Sequence, residues 1–166
     1  METMNNIENI KKTIALFLEL EEFQFHSQED NERRVLVYLE FGFGSGPIRY
    51  YIDYQIESNL IQFTSFASHN VPEEKRNDVL RYYSLVNNNN THWGFIHMNV
   101  ENGTTFSRSS LLLDDLDDVS CALIKRAFHI NMYNLNTYFN GTMKIVYGDA
   151  SPLQVYQEVV SSDDNA

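Results

Sequence analysis

The chain has 166 residues, 43% of them hydrophobic and 13% aromatic, enough apolar side chain to bury a core and to exclude intrinsic disorder. Lys+Arg number 12 and Asp+Glu 23, for a net charge of −11; that balance opposes binding to nucleic-acid phosphates or anionic membranes and favours a basic protein partner. The single cysteine, Cys121, excludes an intrachain disulfide and points to a reducing, cytoplasmic setting.

The opening METMNNIENIKK lacks the basic-then-apolar order of a secretory signal. No apolar run approaches the ~20 residues that cross a bilayer. One domain over residues 1–160 and a frayed tail over 161–166 are expected.

Ile7, Ile10, Ile14, Phe17 and Leu18 fall on one helical face, which predicts a helix over 6–21 capped by Asn5 or Asn6. Phe23 and Phe25 alternate with polar neighbours, and 28–31 reads as a loop. Val35, Val37, Leu39 and Phe41 then line one face of a strand, with Leu36, Tyr38 and Glu40 on the other. Residues 43–47 (Phe-Gly-Ser-Gly-Pro) make a turn. Ile48, Tyr50, Ile52, Tyr54 and Ile56 alternate strictly with polar or amphipathic residues, the pattern of a strand with one dry face. Ser58-Asn59 turns into a further strand over 60–66.

Pro72, Glu73 and Glu74 suit a helix start. Val79, Tyr82, Tyr83 and Val86 continue the helix, and the asparagines at 87–90 end it. Residues 93–100 and 104–110 form a hairpin about Asn102-Gly103, a pair suited to a type I′ turn. Ile96, Met98 and Val100 are the expected core face of its first strand; the inward face of its second is ambiguous. Asp114, Asp115, Asp117 and Asp118 are placed at the start of a third helix, with Val119, Leu123, Ala127 and Ile130 as its stripe and Phe128 on the flank. Asn140-Gly141 breaks this helix, and 143–147 is strand or helix. Ser151 caps a last helix that begins at Pro152.

Four stretches carry a resemblance. Val71-Pro72-Glu73-Glu74-Lys75-Arg76, Leu85-Val86-Asn87 followed by Gly94-Phe95-Ile96, Val100-Glu101-Asn102-Gly103, and Val146-Tyr147-Gly148 followed by Ser151-Pro152 resemble the YbjN family of candidate bacterial sensory transduction regulators. The chain departs from that family at Val155 and Tyr156, where a small residue is common. The resemblance implies an α+β domain like the type III secretion chaperones, with helices on one side of an antiparallel sheet in the order α-β-β-β-(β)-α-β-β-α. It also implies homodimers, and it supplies no catalytic residues.

No constellation of side chains announces chemistry. His92 and His97 stand an odd number of residues apart and so on opposite strand faces, while His26, His69 and His129 belong to separate elements; no metal-ligand spacing is present. Cys121 lies beside a helical apolar stripe and reads as a buried thiol. The four aspartates at 114–118 lack the glycine turn of a calcium loop and suit a helix dipole. The glycines at 42–46 lead into a strand, which is not a phosphate cradle. No catalytic, metal or cofactor residue is therefore assigned.

The candidate site is a surface. Leu36, Tyr38 and Tyr51 lie opposite the assigned core face, and Trp93 and Phe95 join them across the sheet, unless a helix or a shifted strand phase buries them. A non-enzymatic regulatory module that docks a client protein or a second copy is expected, without nucleic acid, membrane or cofactor. A small ligand-binding or hydrolytic enzyme is the alternative. A nucleic-acid-linked regulator is the third reading, and for it Arg33/Arg34, Lys75/Arg76 and Lys125/Arg126 are scattered pairs rather than a stripe.

Overall fold

A computed structural model describes residues 2–43, 46–89, 94–113 and 119–163. Its centre is a sheet of six strands, β1 (Phe25–Asp30), β2 (Arg34–Phe43), β3 (Gly46–Gln55), β4 (Leu60–Asn70), β5 (Phe95–Met98) and β6 (Thr104–Leu112). They lie in the order β1-β2-β3-β4-β6-β5, every neighbour antiparallel. The helices are α1 (Glu2–Leu20), α2 (Arg76–Asn89), α3 (Cys121–Tyr147) and α4 (Pro152–Asp163), with a short 3-10 turn at Glu73–Lys75 ahead of α2. The fold is α+β with the helices on one face of the sheet, as the family resemblance implies.

That face follows from period-two alternation. Leu39, Tyr50, Ser65, Ser107 and Ile96 stand side by side across five strands, and all are buried. α1 contributes Ile10, Ile14, Phe17 and Leu18, and α3 contributes Ile124, Phe128, Met132 and Leu135, to one core against the sheet. A second core joins α2 (Val79, Tyr82, Tyr83, Val86) to β5, the end of α3 and Val155 of α4.

Several boundaries and phases differ from the sequence reading. α1 starts at Glu2, so Asn5 and Asn6 lie inside it and are not its caps. The polar residues Gln28–Asp30 belong to β1 and not to a loop. As an edge strand, β1 needs only one bonded side and tolerates charge; its turn is set by Asn31, whose Oδ1 accepts from the N–H groups of Arg33 (2.9 Å) and Arg34 (3.0 Å).

The asparagines at 87–89 continue α2. β5 ends at Met98, and Val100 is exposed in the hairpin connection. That connection is not a type I′ turn. The N–H of Asn99 bonds Thr104 O, Gly103 N–H bonds Asn99 O, and Gly103 alone in it has a positive φ (75°). A side chain at Gly103 would collide with the backbone of Val71, whose N–H donates to Gly103 O (2.8 Å).

The largest departure is α3. Ser120 caps it, its Oγ accepting from Leu123 N–H (3.2 Å), so the helix begins beyond the four aspartates at 114–118, which lie outside the described residues. Phe128 sits at the centre of the core rather than on the flank, its ring within 4.5–5.8 Å of those of Tyr50, Phe23, Phe17 and Phe41; Leu123 and Ile130 are only half-buried. Asn140-Gly141 does not break the helix, which runs on to Tyr147. Gly141 is there because α3 meets α2 and α4 at that point: a Cβ would overlap the Tyr82 hydroxyl and press on Val155 Cγ1. Gly148 then ends the helix, and Ser151 and Gln154 form a reciprocal cap on α4, which continues to Asp163.

Candidate functional site

The sheet face opposite the helices carries no packed element among the described residues, and its side chains follow from the same register. One cross-strand row reads Tyr38, Tyr51, Thr64, Arg108, Phe95 from β2 to β5, and the next reads Glu40, Arg49, Phe66, Phe106, His97. Neighbours in and between these rows are close enough to interact. Their rings form a continuous band: Tyr38–Tyr51 (5.0 Å between centroids), Tyr51–Phe66 (5.7 Å), Phe66–Phe106 (5.5 Å), Phe106–His97 (5.3 Å) and His97–Phe95 (6.1 Å). Phe95 is 52% exposed. A shallow depression of about 510 Å³ lies over the middle of the face, floored by Tyr51, Phe66 and Phe106 and rimmed by Arg34, Arg49 and Arg108.

Leu36, Tyr38, Tyr51 and Phe95 thus lie where the sequence reading put them, on the uncovered face. Trp93 lies outside the described residues. Phe66, Phe106 and His97 were missed, together with the arginines among them. The signal that would have found them is the pairing register: once Tyr51 faces outward, so must Phe66 and Phe106.

The charges on this face are unevenly matched. Arg34 binds Asp53 through two hydrogen bonds, Nε to Oδ1 (2.7 Å) and an Nη to Oδ2 (3.1 Å). Glu40 accepts from the Tyr38 hydroxyl (2.7 Å). That bond, with burial and the carboxylate charge adding to it, raises the Tyr38 pKa above the usual phenol value. Glu29, on the β1 edge, accepts from Asn31 Nδ2 (2.8 Å). Arg49 and Arg108 have no carboxylate partner among the described residues. Their guanidinium groups lie over the Phe66 ring (5.7 Å) and the Phe106 ring (5.2 Å), a cation–π arrangement. His97, wedged against Phe106, has its pKa lowered by partial burial and then by the Arg108 charge.

The other candidates remain separate. Cys121 is half-buried rather than buried, and its Sγ–H points to Thr13 O (3.5 Å). His129 stands near Glu21 (3.9 Å), and His92 lies outside the described residues. Ser68 Oγ is 2.7 Å from His69 Nδ1, but no carboxylate orients His69 among the described residues. Nor do three His, Cys, Asp or Glu side chains come together there in an arrangement that could hold a metal. No described helix is long and apolar enough to cross a membrane.

An α+β domain with one uncovered aromatic sheet face is therefore the class of protein that the fold and the face define. Its architecture is that of YbjN: the crystal structure of YbjN from E. coli, described as a candidate transcription regulator, superposes with a TM-score of 0.51 over 76% of this chain and 86% of that one, at 14% identity. The chain has a YbjN-like fold. No protein-family model and no curated protein matches its sequence.

Proposed function

We propose that this protein is a non-enzymatic regulatory module that works by docking a segment of another protein on the open face of its sheet, in the manner of a chaperone, in a bacterial cytoplasm. The observation that carries the reading is the band of six rings across five strands, left uncovered by any described element. Aromatic and arginine side chains on an uncovered surface are the groups that dominate protein interfaces, because they bury large areas with few rotatable bonds. The description of YbjN as a candidate transcription regulator supports a role exerted through binding rather than through turnover.

The test uses Tyr38→Ser/Tyr51→Ser. Partners captured from the source-cell lysate by the wild-type chain are compared with those captured by the variant, beside light scattering of both. Loss of a stoichiometric partner, or of self-association, from a variant that still folds is the expected result. A variant that keeps every partner and the same oligomeric state sinks the proposal.

A further inference from the structure

We infer that the segment docked on the open sheet face is acidic, an extended stretch alternating carboxylate and apolar side chains, although the chain as a whole carries a net charge of −11. The inference rests on the open face being the docking surface and names the chemistry of what docks there.

The charge is decided locally. Of the carboxylates on the face, Asp53 is neutralised by Arg34, while Glu40 and Glu29 accept from neutral donors (the Tyr38 hydroxyl and the Asn31 amide), keep their charge and lie on the β1–β2 side of the sheet. The guanidiniums without a carboxylate partner among the described residues, Arg49 and Arg108, lie over the Phe66 and Phe106 rings at the centre of the face. Arg49 is directly opposite Glu40 across the β2–β3 pair, yet it lies beyond salt-bridge distance of that residue, whose oxygen is given to Tyr38. An incoming carboxylate would complete each guanidinium with a charge-assisted hydrogen bond. Apolar side chains beside it would lie on the rings. A basic segment would instead meet these two cations at the centre of the face.

The arrangement of the rings favours peptide over single-stranded nucleic acid. Bases stack on free ring faces. Here at least one face of each of five rings already has a partner: Tyr38 stacks on Tyr51 (27° between planes), His97 stacks on Phe106 (26°), and the arginines lie over Phe66 and Phe106. The guanidinium N–H groups and the aromatic side chains of the band suit carboxylates and apolar side chains.

Two synthetic peptides of equal length, one alternating leucine with glutamate and one alternating leucine with lysine, are titrated into the isotope-labelled full chain, with oligodeoxythymidylate as a third probe. The expected result is that the glutamate peptide moves the amide signals of Arg49, Phe66, Phe106 and Arg108, and that its affinity falls as salt rises. Arg49→Glu/Arg108→Glu should weaken it by at least about tenfold. Arg49→Gln/Arg108→Gln, which removes the charges without reversing them, should weaken it less and serves if the first variant does not fold.

A lysine peptide that takes the same face while the glutamate peptide does not overturns the inference and leaves the docking reading standing. Preferential binding of oligodeoxythymidylate to the face overturns both. Failure of every probe to perturb the face overturns the inference, while the fate of the docking reading is then set by the Tyr38→Ser/Tyr51→Ser comparison.

Discussion

Gly141 sits deep in α3, where glycine costs about 1 kcal/mol of helix propensity relative to alanine. It is tolerated because the Tyr82 hydroxyl and Val155 occupy the space a methyl group would fill. Val155, fully buried, stands where the resembling family commonly has a smaller residue, and the glycine opposite accommodates it. Gly141→Ala should therefore destabilise the protein by about 1–3 kcal/mol, the overpacking cost outweighing the gain in propensity. Urea denaturation measures this; an unchanged or raised midpoint would show that the three helices can part at no cost. Gly141 was misread as a breaker because glycine in sequence carries no sign of whether the chain turns there or another helix presses against it.

His97 offers a second residue-scale test. Its folded pKa lies below the ordinary 6.5 because of partial burial and then the nearby Arg108. On acidification the unfolded chain takes up this proton first. The stability gained by keeping the ring neutral is complete above about pH 6.5 and is lost as the pH falls from there toward the folded pKa. His97→Gln should lessen the drop in urea midpoint between about pH 7.5 and about pH 5.5. An equal drop in both proteins would mean that other groups carry the acid sensitivity.

At the scale of elements, β5 shows how a short edge strand is held. Its outer side has no neighbouring strand among the described residues, an edge of the kind that natural sheets cover. Asn87, in the last turn of α2, supplies the cover: its Nδ2 donates to Ile96 O (2.8 Å) and its Oδ1 accepts from Ile96 N–H (3.0 Å). The side-chain amide thus imitates one residue of a strand. Asn87→Ala leaves both backbone groups of Ile96 without that partner, and a loss of about 1–3 kcal/mol is expected. Hydrogen exchange at the Ile96 amide is the direct readout, and unchanged protection would remove Asn87 from this role. The tyrosine–threonine contact between α2 and α3 works similarly in the second core, where the Tyr83 hydroxyl lies 2.7 Å from Thr142 Oγ1 and burial raises the phenol's pKa.

β6 shows a strand whose sides are inverted relative to hydrophobicity over most of its length. Its inward Thr105, Ser107 and Ser109 are buried, with Ser65 of β4 beside Ser107, while Phe106 faces outward next to Phe66. The small side chains leave room for α3. Asn131 reaches down from that helix, its Nδ2 donating to Phe63 O (3.2 Å) and lying 3.4 Å from the Ser107 and Ser109 hydroxyls. Hydrogen bonding to partners that exist only after folding makes burial of the Asn131 amide N–H and of the Ser107 and Ser109 hydroxyls tolerable.

For the molecule as a whole, the open face separates stability from function. Removing the Tyr38 and Tyr51 rings should cost the fold only about 1–2 kcal/mol, the worth of an exposed cross-strand aromatic pair beside a ring neighbour, because neither residue belongs to the buried core. Docking should suffer far more. Unfolding midpoints measured beside the capture experiment distinguish the two effects, and collapse of the fold would show that the face is structural. The uneven charge follows the same division: the net −11 belongs to the whole chain, whereas Arg49 and Arg108, at the centre of one face, have no carboxylate partner among the described residues.

The sequence by itself determined α1, β2 and β3, and with them the outward placement of Leu36, Tyr38 and Tyr51; the α+β class came through the family resemblance. In those elements one face is dry and filled by large apolar residues, so the hydrophobic period reads directly as geometry. Tertiary structure alone decided the length of α3, the phase of β6, the long hairpin connection at Val100–Gly103 and the joining of Phe66, Phe106 and His97 to the tyrosines. Each of these depends on how closely another segment approaches. A helix lying low over β4 and β6 turns serine inward and phenylalanine outward, and a glycine can be a contact as readily as a break; neither distance is written in the spacing of residues along one chain.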